Sequence, residues 1–389
     1  MTESLLGSGV SGLGAYAGVR VVDFTQGVAG PMAAMMLGDF GAEVIKIEPP
    51  VGDRGGDAPG YLAFNRNKQV ARLDLETHAG MAAARTLLAG ADVALFDGSP
   101  KRQAALDLSA QALTSGYPSL VHAWMPPYAA KGRWSELAPR HSLLSALSGW
   151  CWRQGATADQ PVHMVTPFAW YGQAVMACSA IGAALLERAR SGCGQGVVVS
   201  GLHGFAHVGG PTRILSAPRP PRATPQGANP RSRLYRCADG QFLFLCAFFP
   251  SFYRQLFETL GYADLTEALL VDDEAARNLL DEVFATAPCD EWTTRLMAAG
   301  VPCAPVGARE TWLAGEAVGQ AGLRISLQHP EFGEVAMPGP PAALSATPMR
   351  VQGLPERIAE PPAWPAKPPP LVTKGARRSE ERRVGKECQ

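Results

Sequence analysis

Residues 19–50, VRVVDFTQGVAGPMAAMMLGDFGAEVIKIEPP, decide the fold class. The run 19–24 is short, apolar and valine-rich, the pattern of a strand covered on both faces. Residues 25–30 form a turn rich in small residues, and Pro31 suits the first helical position, where no N–H is needed. Residues 32–40 are apolar all round, which predicts a buried helix, and Gly41 ends it. Residues 44–48 make a second strand, stopped by Pro49 and Pro50. Strand, turn, helix and strand at this spacing are one β-α-β unit of a parallel sheet, with a ligand crevice expected at the strand ends.

The pattern continues outward from this unit. Residues 67–75, 92–96, 119–124 and 196–200 read as strands, and 77–89, 109–115, 141–152 and 167–191 contain helices. Strands alternating with helices predict a doubly wound α/β sheet. The Pro-rich run 217–231 marks a change of character. Beyond it, 233–237 and 241–246 form a hairpin around Asp239-Gly240. Helices follow near 252–260, 274–286 and 291–299, then a strand near 303–306. The expected division is a large Rossmann-like domain over 1–216, a smaller α+β domain over 217–325, and a return to the large domain over 326–377. Residues 378–389 have no periodicity and no apolar face. They resemble the conceptual translation of a sequencing-library adapter and are set apart as a non-native tail.

Composition narrows the function classes. A 389-residue chain with 47% hydrophobic and 18% charged residues is globular, and is long enough for one large and one smaller core. Zero net charge argues against nucleic acid or a bare membrane surface as the main partner. The apolar stretch 169–186 is interrupted by Tyr171, Gly172, Gln173 and Ser179, so it reads as a core helix rather than a span. No basic region followed by an apolar core opens the chain, so no signal peptide is expected. Eight cysteines without CxxC pairs or metal-ligand spacing predict reduced thiols, a cytoplasmic location and no metal.

Several motifs, each weak alone, stand in register along nearly the whole chain. They are Val21-Val22-Asp23-Phe24 with Ala29-Gly30-Pro31, then Leu37 through Pro50, then Asn65-Arg66-Asn67-Lys68 with Leu73-Asp74-Leu75. Later come Ala184 through Arg188, Ser191 through Gln195, Ala238-Asp239-Gly240, Gly300 through Val306, and His329-Pro330. In these the chain resembles the family III CoA-transferases, the group that includes formyl-CoA transferase and α-methylacyl-CoA racemase. The resemblance implies an interlocked homodimer, with CoA or an acyl-CoA as substrate and a carboxylic acid as the second partner. It implies CoA against the first βα turn (Gln26, Gly27, Val28, Ala29) and the loop bearing Asn67 and Lys68, with Lys101 and Arg102 near phosphates. A glycine turn that lets backbone approach a ligand, and a helix N-terminus that favours an anion, agree with this placement. For these residues a tight turn, a cap or a solvated lysine remains the alternative reading.

Where the family carries its chemistry, the sequence departs. The resemblance places a nucleophilic aspartate at the start of the long helix; its carboxylate attacks the acyl-CoA thioester. Here that position is Trp170, and residues 162–186 contain no Asp or Glu. Indole has neither a nucleophilic lone pair nor a proton to exchange at neutral pH. Weak substitutes are Tyr171, His163 and His141, the last lying one residue from the racemases' histidine. The family's Glu-Asn-Phe-Arg-Pro-Gly segment is here Phe96-Asp97-Gly98-Ser99-Pro100-Lys101. Three functions follow as expectations. One is a transferase moving CoA between an acyl-CoA and an acid with a changed nucleophile. Another is a catalytically silent CoA-binding homologue, alone or paired with an active paralogue. Acyl-CoA racemase or isomerase activity is a third.

Overall fold

The computed structural model describes residues 13–56, 60–153, 161–208, 229–361 and 364. The expected tail 378–389 and most of the Pro-rich run 217–231 lie outside them. The chain divides into two compact units, one of 1–144, 166–211 and 316–389, the other of 145–165 and 212–315.

The first unit is built on β1 (Arg20–Asp23), β2 (Glu43–Glu48), β3 (Lys68–Arg72), β4 (Val93–Phe96), β5 (Val121–Trp124) and β6 (Gly196–Val198). Its helices are α1 (Ala29–Asp39), α2 (Gly60–Asn65), α3 (His78–Gly90), α4 (Pro100–Ala105), α5 (Ala110–Gly116), α7 (Phe168–Ser191) and α8 (Gly201–Val208); α6 (His141–Leu147) bridges its boundary. In the second unit, β7 (Ser232–Arg236), β8 (Phe242–Cys246) and β9 (Cys303–Pro305) form an antiparallel sheet. Helices α9 (Pro250–Leu260), α10 (Thr266–Val271), α11 (Asp273–Phe284) and α12 (Cys289–Ala298) complete its core. The chain then makes a hairpin of β10 (Arg324–His329) and β11 (Gly333–Pro338), and ends its described strands with β12 (Glu356–Arg357).

The large sheet has the order β12-β3-β2-β1-β4-β5-β6, with every pairing parallel. Both of its faces are covered, which is why its strands read as continuous apolar runs. Val21, Val44, Val93 and Val121 meet α1 and α7 on one side, and Val22, Ile45, Ala94 and Phe96 meet Leu87 and Leu88 of α3 on the other. Helix α7 is long and apolar enough to cross a bilayer. Its Ala174, Ala177, Cys178, Ile181 and Ala184 nevertheless pack into the first of these cores.

Three local expectations change. Helix α1 begins at Ala29, so Pro31 is its third residue; it still breaks no helical hydrogen bond, because first-turn N–H groups have no intrahelical acceptor. The helix expected over 141–152 stops at Leu147: Gly149 takes φ +73° and a 3₁₀ turn, Trp150–Arg153, follows. The hairpin over 324–338 has no counterpart in the sequence reading. Its strands alternate half-buried and exposed residues too weakly to separate from loop.

Beneath the strand ends lies a set of buried charges. Lys68 Nζ is fully buried and donates to Asp23 Oδ2, Pro31 O and Asn65 Oδ1, each at 2.9 Å. Lys46 Nζ, also fully buried, donates to Thr25 O at 2.7 Å and pairs with Asp53 Oδ2 at 2.8 Å. This corrects the reading of Lys68 as a phosphate-binding cation, since all three of its N–H bonds are spent inside the fold. Asn67 is corrected too. At φ 61°, it donates to Asp39 Oδ1 and Arg350 O and accepts from the N–H groups of Gln352 and Gly353. It clamps a distant chain segment at the edge where β3 begins, away from the crevice at the strands' other ends.

Burial opposes ionisation of Asp23 and Asp53, but the lysines, with Thr25 on Asp23 and the Gly55 and Gly27 N–H groups on Asp53, hold both carboxyls below the usual range. Lys68 itself is pushed down to about 8, with desolvation the largest cause. Lys68→Ala removes the ion-pair partner of the buried Asp23 carboxylate and should cost about 3–5 kcal/mol in urea unfolding. Lys101→Ala, at an exposed site, should stay within about 0.5 kcal/mol. Equal effects would return Lys68 to a surface role. A depressed carboxyl contributes stability that is present above about pH 4 and lost as pH falls through its folded pKa. Asp53→Asn should therefore lower stability at neutral pH and flatten the acid limb of the unfolding free energy. Asp39, raised by burial against its Arg66 partner, acts in the opposite sense in both proteins and cancels from the comparison.

Candidate active site

The strand order reverses between β1 and β4, and a crevice opens outside the carboxyl ends of strands at such a point. There the structure holds a cavity of about 200 Å³. The turn after β1 supplies Gln26, Gly27, Val28, Ala29 and Gly30, the loop after β2 Arg54 and Gly55, and the loop after β4 Asp97. Met125, Pro127 and Arg140 follow β5, and the first turns of α7 contribute Trp170 and Gln173. A second cavity of about 180 Å³ shares Gln26, Arg54 and Asp97 and extends over Phe24, Phe96, Leu73, Leu75 and Arg102.

The turn is shaped by close packing. A Cβ at Gly30 would overlap the Thr25 side chain, and Gly27 takes φ +80°. Its N–H groups are not all open to an anion, however. Gln26 N donates to Asp97 Oδ2 at 3.0 Å, and Gly27 N donates to Asp53 Oδ1 at 2.9 Å. Two of the residues expected to cradle a phosphate thus already spend their N–H groups on carboxylates. The open surface of the turn is that of Val28 and Ala29, which can flank a narrow apolar or amide-bearing arm. Arg54 adds a cation, bound to Asp97 Oδ2 at 2.6 Å and itself about half-exposed.

Trp170 is placed by the packing of α7. Gln173, almost wholly buried, donates to Pro126 O and Val199 O, tying the helix to the segments that follow β5 and β6. A Cβ at Gly204 of α8 would overlap Ala169 O and Gln173 N, so the two helices cross at backbone contact. The Trp170 ring meets His141 edge-on, with centroids 5.9 Å apart. His141 therefore backs the indole instead of lining the cavity. Tyr171 is about 100° further round the helix and packs on Phe64 at 6.3 Å, off the cavity wall. Burial pushes its hydroxyl pKa up, the wrong direction for a base. His163 lies in the second unit and is exposed. Cys178 is buried, with its thiol pushed up to about 11.

Of the expected binding residues, the structure brings together Gln26, Gly27, Val28, Ala29 and, in the adjoining cavity, Arg102. Arg102 is half-exposed and pairs with Glu76. Lys101 lines neither cavity. The sequence reading missed Asp97, Arg54, Arg140 and Gln173. Asp97 was in view only as a departure from the family's segment. Its position directly after β4, at the end of an apolar strand, was the available signal.

The profile of CoA-transferase family III matches residues 16–356. The chain is 32% identical to the alpha-methylacyl-CoA racemase of Mus musculus over 285 residues, covering 71% of this chain and 73% of the racemase. It is 25% identical to the succinyl-CoA:glutarate CoA-transferase of Homo sapiens over 380 residues, covering 91% of this chain and 83% of that one. Among solved structures, Rv3272 of Mycobacterium tuberculosis superposes with TM-score 0.78 at 24% identity, over 90% of this chain and 98% of the other. A CAIB/BAIF family protein of Brucella suis gives TM-score 0.80 at 22% identity, over 89% and 97%. These two similarities establish the shared fold. The profile match and the racemase identity make the chain a member of CoA-transferase family III.

Proposed function

We propose that this chain binds an acyl-CoA in the crevice at the ends of β1 and β4 and moves CoA between that thioester and a carboxylic acid. The observation that carries the reading is the pair of adjoining cavities joined through Gln26, Arg54 and Asp97. One is an apolar slot between Phe24, Phe96, Leu73 and Leu75 with Arg102 at its side, suited to a purine beside a phosphate. The other runs along the Gln26–Gly30 turn toward Trp170, suited to the narrow pantetheine arm and its thioester. In this reading the family's carboxylate at position 170 is replaced by an indole that closes the end of the cavity.

A second reading has its own support. Trp170 brings no nucleophile to the place where the family's chemistry is expected, so a CoA-binding homologue without catalysis fits the same cavities. Its active form would be a partner chain carrying the aspartate, in a dimer of two such subunits. Racemisation is favoured by the 32% identity to the murine enzyme. It needs two groups that exchange a proton, however, and His141 lies behind the indole.

Calorimetric titration with CoA and exchange of isotopic label between succinyl-CoA and a panel of carboxylic acids separate these readings. Binding with exchange in the wild type supports the transferase. Binding without exchange, with exchange gained by Trp170→Asp, supports the silent homologue. Absence of CoA binding overturns both. Arg102→Ala should weaken CoA about tenfold, the loss of one charge-assisted contact worth roughly 1.4 kcal/mol, with a smaller effect at high salt. Unchanged affinity would remove Arg102 from the phosphate.

A further inference from the structure

With an indole at position 170 and no Asp or Glu over residues 162–186, α7 supplies no carboxylate to the cavity. The cavity nevertheless has one. Asp97 lines it together with Trp170, Gln26 and Gly27, and it lines the adjoining cavity as well. It stands on the loop directly after β4, at the carboxyl end of a parallel strand, on the backbone frame that fixes the crevice.

Its two oxygens have different duties. Oδ2 accepts from Gln26 N at 3.0 Å and from Arg54 Nη2 at 2.6 Å. Oδ1 accepts no hydrogen bond among the described residues. The side chain retains a little exposure, 16%, in a molecule where Asp23 and Asp53 retain none. One oxygen is therefore anchored by two donors while the other keeps its lone pairs. Asp23 and Asp53 are spent on lysines inside the fold; Asp97 is spent on an exposed arginine that can turn to a ligand's own anion.

The geometry points to Asp97 as the carboxylate nucleophile of this protein, acting from the loop after β4 in place of the residue that α7 lacks. The inference rests on the acyl-CoA reading of the cavity and names the group that would do its chemistry. Oδ1 attacks the thioester carbonyl carbon, the C–S bond breaks, and CoA leaves as the thiolate, giving a mixed anhydride of Asp97 and the acyl group. The thiolate then attacks the Asp97 carbonyl carbon. The anhydride C–O bond breaks, the first acid leaves as its carboxylate, and Asp97 becomes a CoA thioester. The incoming carboxylate attacks that thioester and expels the thiolate. The thiolate takes the new acyl group from the second anhydride, and Asp97 is regenerated. Burial raises the Asp97 carboxyl pKa, with Arg54 and the Gln26 N–H opposing, and a more basic carboxylate is the stronger nucleophile. Trp170 then walls the acyl end and keeps water from the anhydride.

The test uses the full chain with succinyl-CoA as the probe. Wild-type protein is incubated with it, treated with hydroxylamine and digested, and the modified peptide is located by mass spectrometry. The expected result is a hydroxamate on Asp97, absent from Asp97→Asn. In that variant, label exchange should fall at least about a thousandfold while calorimetry shows CoA still bound, as expected for loss of a covalent nucleophile. Because the wild-type adduct is read directly, a folding defect in the variant does not decide the matter. A hydroxamate on another residue, or exchange that persists in Asp97→Asn, overturns the assignment. CoA binding without adduct or exchange in the wild type also overturns it while leaving the binding reading in place. Failure to bind CoA removes the binding reading itself.

Discussion

Two lysines without solvent hold this structure in register. Lys46 and Lys68 project from neighbouring parallel strands into a region where an unpaired ammonium is costly, and each is satisfied by a carboxylate and by backbone carbonyls. Their acceptors come from the places that must be fixed if a crevice is to exist: the end of β1, the turn that follows it, the first turn of α1, and the loop after β2. The ion pairs are weak evidence of net stability, because desolvation offsets much of their attraction. They specify position instead. If either loop slips, a buried charge loses its partner, so the crevice wall moves as one piece or not at all.

The same economy explains why the first βα turn differs from an anion cradle. A turn of this kind gains its affinity for phosphate from free N–H groups. Here Asp53 and Asp97 take two of them, and the turn becomes a wall beside which Arg54 is itself paired with Asp97. In the proposed reading, recognition of a phosphate passes to side chains such as Arg102 at the rim, and the turn itself faces the neutral part of the ligand.

Much of the fold was legible because strands covered on both faces write a simple signature: 19–24, 44–48, 92–96 and 119–124 are apolar runs, and the alternation with helices gives the sheet. Motifs in register then named the family. The turn at Gln26–Ala29, which lines the cavity, was legible for the same reason. Lys68 and Asn67 were misread because a motif records which residue stands at a position, not where its polar atoms go. A lysine at a strand's start looks solvated until the fold puts Asp23 above it. The break at Gly149 required the backbone, since 141–152 is otherwise good helix. Asp97, Arg54, Arg140 and Gln173 were missed because their shared cavity joins four separate loops and a helix, and no periodicity within one segment encodes that meeting.

One feature at the opposite edge of the sheet bears on handling of the chain. Strand β12 lies parallel on β3 through only two residues, Glu356 and Arg357, and Asn67 clamps the segment just before it. Such a short outer strand covers the open N–H and C=O row that a longer, valine-bearing strand would otherwise present to another molecule. Residues from the far end of the chain thus serve as a guard against intermolecular strand addition, and solubility becomes tied to a contact that lies nowhere near the cavity.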